Sequence, residues 1–442
     1  MEGKNNNVPV IIGSGLSGMF ISDMFSQQGI AHIMLGAPPN DLPRLGESID
    51  PAGTLELLRF YPEYDELYYK KRWITVFLGD YATSCNFDQD LTRILGLRLI
   101  GFKSPAQFIH VDRVAFDNAF YDRVSASNHC QQINSLVLDI SYNQETDRVE
   151  ELHLANGETL TPTHVFDCTN HIRLLGRSLD IPIEIISEPQ RVAYTHYHAP
   201  EETPMDALFD DEWKHATNIL RLYEDIDGLN GLAWAIPLGS YISVGISMPA
   251  GENELSDDDV MKMVEAAYAR RGLDFVQTFA NPRPVMSVPR QQYFIHERAY
   301  GGNWLMAGPS FGQVWFPSSS GVGAALVAGQ IAPQFLQSAQ EAGEKFESYV
   351  RGLLESHQTF DRMIAHHHSV MTPELVKKES NGIVGENVKR VARLATIQNG
   401  PVAGSFARVL LKAADRDGVA SSGCKVWKAD LADQTRAIFS EA

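Results

Sequence analysis

The sequence predicts an α/β fold, with a buried parallel sheet of the Rossmann type and a helical cap towards the C-terminal end. Three observations carry this. Residues 8–12, VPVII, are a short β-branched run of the kind a fully buried parallel strand requires, and GSGLSG follows at once. At 308–323, GPSFGQVWFPSSSGVG runs into AALVAGQIAPQF, so small residues stand where packing side chains belong. No Gly/Ser/Pro linker, charge block or repeat divides the 442 residues, which favours one large interleaved domain.

Composition narrows the function classes. The chain is 44% hydrophobic but has no apolar run near the roughly 20 residues a membrane span needs. Its start, MEGKNNN, lacks the charged leader and apolar core of a secretory signal, so the reading is cytoplasmic. The net charge of −18 repels a phosphate backbone, so nucleic acid is not an expected partner, and without a spanning run neither is a membrane. Cys85, Cys130, Cys168 and Cys424 are widely spaced without a CxxC pair and read as buried thiols. His366, His367 and His368 point in different directions on a helix, so no metal is expected there.

Taken in order, Gly13, Gly15 and Gly18 fit GxGxxG, with Leu16 and Ser17 inside the turn. The first glycine permits a tight turn, the second lets a pyrophosphate approach the backbone, and the third packs helix on strand. MFISDMFSQQG continues as the helix and AHIMLG as the next strand, which ends at Gly36 where a ribose-binding acid is the usual residue. In PRLGESIDPAGTLELLRF, Ser48 or Asp50 caps a helix. Arg44 and Glu47 just before it read, by themselves, as a surface ion pair.

FIHVDRVAFDNAFYDRV switches from strand to helix at Asp112, with Phe116, Phe120 and Val124 at helical spacing. LHLANGETL reads as a hairpin turning at Asn156-Gly157, and HVFDCTN and ISVGISM as strands. From about residue 337 to the end, helical patterns dominate, interrupted at Pro373 and QNGPVAG.

The succession GxGxxG, PRLGES, HVDRVAFD, FDCTN, GLAWAIPLGSYISVG and GPSFGQVWFPSSSGVG resembles the flavin-dependent halogenases, within the aromatic-hydroxylase-like flavoproteins, over roughly residues 8–335. The resemblance implies a glucose-oxidoreductase-type FAD domain from 1–66, 106–180 and 285–336. It implies a substrate-binding sheet domain from 67–105 and 181–284, and a helical region at 337–442. The implied chemistry is that reduced FAD, supplied by a partner flavin reductase, reacts with oxygen and chloride or bromide to give hypohalous acid. That acid halogenates an electron-rich phenol, pyrrole or indole, free or on a carrier protein.

Carried over position by position, the cofactor contacts fall on Gly13, Gly15, Leu16, Ser17, Gly18, Arg44, Glu47, Ser48, Arg113, Gly308, Pro317, Gly321, Val322 and Gly323. The halide falls at the helix start, Ser320 and Gly321, and the substrate pocket on Trp234, Pro237, Trp315 and Phe316. The family's lysine, which engages the electrophilic halogen, is Lys71 by the spacing of phenol- and pyrrole-type members and Lys70 by that of tryptophan-type members. Strand alternation lets only one of the two point inward, and Lys71 is preferred.

The sequence departs from the family pattern at several points. LAWAIP has Leu232 in place of the first tryptophan of W-x-W-x-I-P, and the family's Gly-Asp pair reads Gly308-Pro309. Ser318 and Ser319 stand where tryptophan-type members carry a glutamate. Losing the carboxylates at 36 and 309 removes two FAD hydrogen bonds of about 0.5–1.5 kcal/mol each, which suits an exchanging cofactor. The alternatives are an FAD-dependent aromatic hydroxylase, a geranylgeranyl-reductase-like enzyme or a non-catalytic flavoprotein.

Overall fold

The computed structural model describes residues 7–78, 81–86, 108–200, 211–251, 255–273, 280–282, 284–313, 319–360, 382, 385–394, 397 and 424–428. β1 (Val10–Ile12) is buried throughout and turns into α1 (Leu16–Gln27) and β2 (His32–Leu35). Gly13 sits at φ +113, and a Cβ there would lie 2.5 Å from the Cys168 carbonyl oxygen. At Gly18 a Cβ would lie 1.9 Å from the Gly13 carbonyl oxygen, so α1 can approach β1 this closely only without one.

α2 (Pro51–Phe60) begins at Asp50, whose carboxylate accepts the Gly53 N–H at 2.6 Å, with Pro51 in the first helical position. Next come β3 (Tyr68–Lys71), β4 (Trp73–Leu78), β5 (Tyr81–Asn86) and β6 (Phe108–Val111). α3 (Arg113–Ser125) is capped by Asp112, which accepts the Ala115 N–H at 3.0 Å. Phe116, Phe120 and Val124 do face the core, where Phe120 meets Phe20 of α1 at 5.1 Å between ring centroids. β7 (Cys130–Ile133) leads to β8 (Val137–Asn143), β9 (Arg148–Leu154) and β10 (Thr159–Leu160), the last two joined through Gly157 at φ +86.

β11 (Val165–Asp167) returns to the first sheet. β12 (Ile183–Ile185), β13 (Gln190–His198), β14 (Ala216–Leu222), β15 (Gly231–Leu238), β16 (Tyr241–Pro249), α4 (Asp257–Ala269), β17 (Ala280–Pro282) and β18 (Met286–Gln291) follow. Then come β19 (Phe294–His296), β20 (Trp304–Met306), β21 (Gly312–Gln313), α5 (Gly321–Phe335), α6 (Ala339–Phe360) and β22 (Cys424–Lys428).

Five of these strands form a sheet in the order β20-β11-β1-β2-β7, parallel at every pairing. α1 and α5 lie together beside it and share its core. A nine-stranded sheet runs β17-β13-β16-β15-β14-β4-β5-β22, with β18 also paired to β13. β12, β19 and β21 form a small sheet, and among the described residues β3 pairs only with β6. The expectation of helices from 337 to the end needs correction at β22, which pairs antiparallel with β5 and extends the larger sheet. The helix-rich sequence around CKVWK gave no hint that a distant strand edge was available to it. Among the described residues no helix is long and apolar enough to cross a membrane.

Candidate active site

A cavity of about 920 Å³ lies between the two large sheets. Its first wall is made by Gly15, Leu16 and Ser17 at the start of α1, and by Ser319, Gly321 and Val322 at the start of α5. Its second wall is one face of the larger sheet, presenting Val192, Tyr194, Thr217, Ile219, Trp234 and Ile236. Arg44, Glu47, Ser48 and Arg113 also line it. Among the described residues a Cβ at Gly15 would meet nothing within 4 Å, so the backbone there faces the cavity. Gly13 and Gly18 do not border the cavity; they fold the turn and seat the helix that Gly15 exposes.

The small residues of 308–335 serve two ends. Gly308, at φ +57, tucks against Ser17, where a Cβ would lie 2.3 Å from the hydroxyl oxygen. Gly321 and Val322 border the cavity, whereas Gly329 packs on α1, with a Cβ position 3.0 Å from the Phe20 carbonyl oxygen. Free N–H groups at the starts of α1 and α5 therefore face the same space.

Although the chain is acidic, Arg44, Arg113, Arg173 and Arg290 line this cavity. Arg44 and Arg113 both donate to Asp117 at 2.9 Å, and Arg113 also donates to the Leu45 carbonyl at 2.8 Å. Burial opposes the Arg113 charge, but Asp117 outweighs it and holds the guanidinium above its usual pKa. The Nε2 of His196 lies 3.1 Å from Glu47 Oε1, and its ring stacks on Tyr241 with centroids 4.4 Å apart. Helix N-termini and arginines at one part, with an apolar sheet face at another, suit a ligand that combines a diphosphate with a flat ring system.

FAD fits these donors and the glycine cradle, although two expected acceptors are missing. At Gly36, φ is +147 and a Cβ would lie 2.5 Å from the Ser14 hydroxyl oxygen, so β2 ends in contact with Ser14. Pro309 borders the cavity without a carboxylate.

Lys71 is buried and Lys70 exposed, because the pairing of β3 with β6 fixes which face turns inward. The Lys71 ammonium or amine donates to Ser48 Oγ at 2.6 Å and approaches the Ile49 carbonyl at 3.4 Å. Ser48 Oγ is in turn 3.3 Å from Thr217 Oγ1. Lys71 itself does not border the cavity; Ser48 and Thr217 do, so the amine stands one hydroxyl behind the wall. Desolvation dominates its surroundings and brings its pKa down to about 7, against the pull of Asp50.

No family model matches the chain, and no curated protein matches it in sequence. Solved structures do match. The flavin-dependent brominase Bmp2 is similar at 16% identity over 98% of this chain and 97% of its own, with a TM-score of 0.62. Halogenase PltM, a variant of which was solved with FAD, is similar at 16% identity over 99% and 90%, with a TM-score of 0.66. A probable FAD-dependent monooxygenase of Pseudomonas aeruginosa, pqsL, is similar at 13% identity over 81% and 97%, with a TM-score of 0.59.

The chain has the fold of the flavin-dependent halogenases.

Within that halogenase fold about half of the sequence-predicted residues converge. Leu16, Ser17, Arg44, Glu47, Ser48, Arg113, Gly321, Val322 and Trp234 line one cavity. Several do not. Pro237 is a correction: Trp234 and Ile236 occupy the cavity face of β15, and alternation turns Pro237 to the other side. Ser320 is fully buried and does not border the cavity, and Gly323 faces Gly53 and Asp50. Pro317, Trp315 and Phe316 lie outside the described residues, as do the three histidines.

Sequence reading missed Thr217, Tyr194 and Asp117. Asp117 was findable, since it stands four residues after Arg113 on one helix face. Thr217 and Tyr194 carry no local signal, because only strand pairing brings them to Ser48 and Trp234.

Proposed function

We propose that this protein is a flavin-dependent halogenase of electron-rich aromatics, using reduced FAD delivered by a separate reductase in the cytoplasm. The observation that carries the reading is the buried Lys71, joined through Ser48 to the wall of a cavity suited to FAD. When bound in its reduced form, FAD supplies, with oxygen and chloride or bromide, the oxidised halogen as hypohalous acid.

In this reading Gly15, Leu16 and Ser17 hold the diphosphate, while Arg44 and Arg113 offset its charge. The N–H groups at Gly321 and Val322 favour an anion beside them, either halide or a flavin carbonyl. Lys71 acts as the halogen acceptor, reached from the cavity when the Ser48 hydroxyl that covers it rotates aside. Its neutral amine attacks the halogen of hypohalous acid, so the N–halogen bond forms as the O–halogen bond breaks, and the departing hydroxide takes the amine proton and leaves as water. The aromatic ring then accepts the halogen, and its displaced ring proton passes to the nitrogen and restores the amine. The sheet face of Ile219, Trp234 and Ile236 suits a flat ring, and a phenol, pyrrole or indole, free or on a carrier protein, needs no carboxylate base to activate it.

A second reading is favoured by one feature. The same sheet face opens directly onto the proposed flavin cavity, as an aromatic monooxygenase needs for its substrate. Reduced FAD, oxygen and bromide offered with a panel of phenols and pyrroles decide between them by mass spectrometry. Brominated isotope pairs support the halogenase, hydroxylated product the monooxygenase, and absence of flavin binding by fluorescence removes both.

A further inference from the structure

Residues 385–394, far from the flavin motifs in sequence, form a helix that buries Arg390 to 1% exposure. Its guanidinium lies 3.8 Å from Asp50 Oδ2, and both side chains are almost wholly removed from solvent. Asp50 is itself unusually placed. Its other oxygen accepts the Gly53 N–H at the start of α2 and lies 3.2 Å from where a Gly323 Cβ would be, at the start of α5. The carboxylate therefore stands between two helix N-termini, which favour its charge, while burial raises its pKa and Arg390 and the Gly53 N–H oppose that rise.

The backbone from Asp50 runs directly to the groups that hold Lys71, namely the Ile49 carbonyl and the Ser48 hydroxyl. An anion buried so near an amine ordinarily makes that amine its counter-ion, as an ammonium. Here Arg390 already fills that place.

We infer that Arg390 is a positioning residue for the Lys71 chemistry: as the resident counter-ion of Asp50, it leaves Lys71 free to face Ser48 as an uncharged amine. This rests on the halogenase reading for its use, though not for its charge arrangement. A neutral amine has the lone pair that attack on a halogen requires, and an ammonium does not. The C-terminal helices thereby complete the site rather than only cover it.

The other charged and titratable neighbours agree. His110 of β6 is buried beside Lys71, and desolvation keeps it well below its usual pKa, so it adds no competing cation. His215 lies close to His110. Tyr349 of α6, Glu386 and Arg393 surround Arg390, and burial keeps Tyr349 protonated. Arg390 itself acts to depress Lys71, opposite in sign to Asp50.

The test follows the Lys71 amine by NMR in the full chain carrying lysine labelled with ¹³C at Cε, with Lys71→Arg assigning its resonance. The native signal should titrate near pH 7. Arg390→Met should move the midpoint up by about one pH unit or more, and Arg390→Lys should restore it. Asp50→Asn, which keeps the helix cap, should move it down, and Arg390→Gln, which also removes the charge, decides the matter if Arg390→Met does not fold.

A native midpoint near that of an ordinary lysine, or an unmoved midpoint in the folded variant, overturns the inference. The pH profile of aromatic bromination is measured on the same proteins. A titration that moves as stated without any brominated product sinks the halogenase reading and leaves the charge arrangement standing. Product formation with an unmoved titration does the reverse.

Discussion

Lys71 and Lys70 are chemically alike and adjacent, yet one is 6% exposed and the other lies on the solvent face of β3. Burial penalises the charged form of Lys71 and so carries a pH signature. Below about pH 7 the folded and unfolded chains both hold the proton, and the fold bears the full cost. Between about 7 and the ordinary value of 10.5 only the unfolded chain holds it, so stability rises with pH across that window. Lys71→Met should therefore be more stable than the native protein at pH 6, by roughly 3–5 kcal/mol at most, with the gap shrinking towards pH 10. Urea unfolding at the two pH values checks this. Lys70→Ala should change neither stability nor bromination by more than about 0.5 kcal/mol or twofold. At the cavity margin, Pro309→Asp should restore a hydrogen-bond acceptor and tighten FAD about 2- to 10-fold, read by flavin fluorescence titration.

Helix starts are the elements on which the site depends. α1, α2 and α5 all begin at or beside the cavity, and each start is fitted by a different local device. α1 relies on the contact between Gly18 and Gly13, so Gly18→Ala forces backbone against a side chain and should cost more than about 3 kcal/mol. Loss of FAD binding together with a lowered melting temperature is the expected measurement. α3 relies on Asp112 as its cap, and Asp112→Ala should cost about 1 kcal/mol by chemical denaturation. These devices were legible because they act over three or four residues. The phase of β15 was not: a motif naming Trp234 and Pro237 together does not say that alternation puts them on opposite faces.

At the scale of the molecule, the cavity exists only because a parallel sheet and an antiparallel-rich one face each other across segments drawn from most of the chain. A ligand spanning both walls should couple them, so saturating oxidised FAD should raise the melting temperature by several degrees. High salt should weaken that shift, since the arginines face a diphosphate in an otherwise acidic protein. A melting temperature indifferent to FAD would argue against the cavity as the cofactor site. The sequence by itself determined the glycine turn, the capped helices and the order of motifs that gave the halogenase-like fold, because each is set by steric and hydrogen-bonding rules among near neighbours. Only the tertiary structure decided that Lys71 turns inward behind Ser48, that Thr217 and Tyr194 join the cavity wall, that β22 extends the larger sheet, and that Arg390 meets Asp50. Those outcomes depend on strand pairing and on burial of charge between residues up to hundreds of positions apart, and no local pattern encodes either.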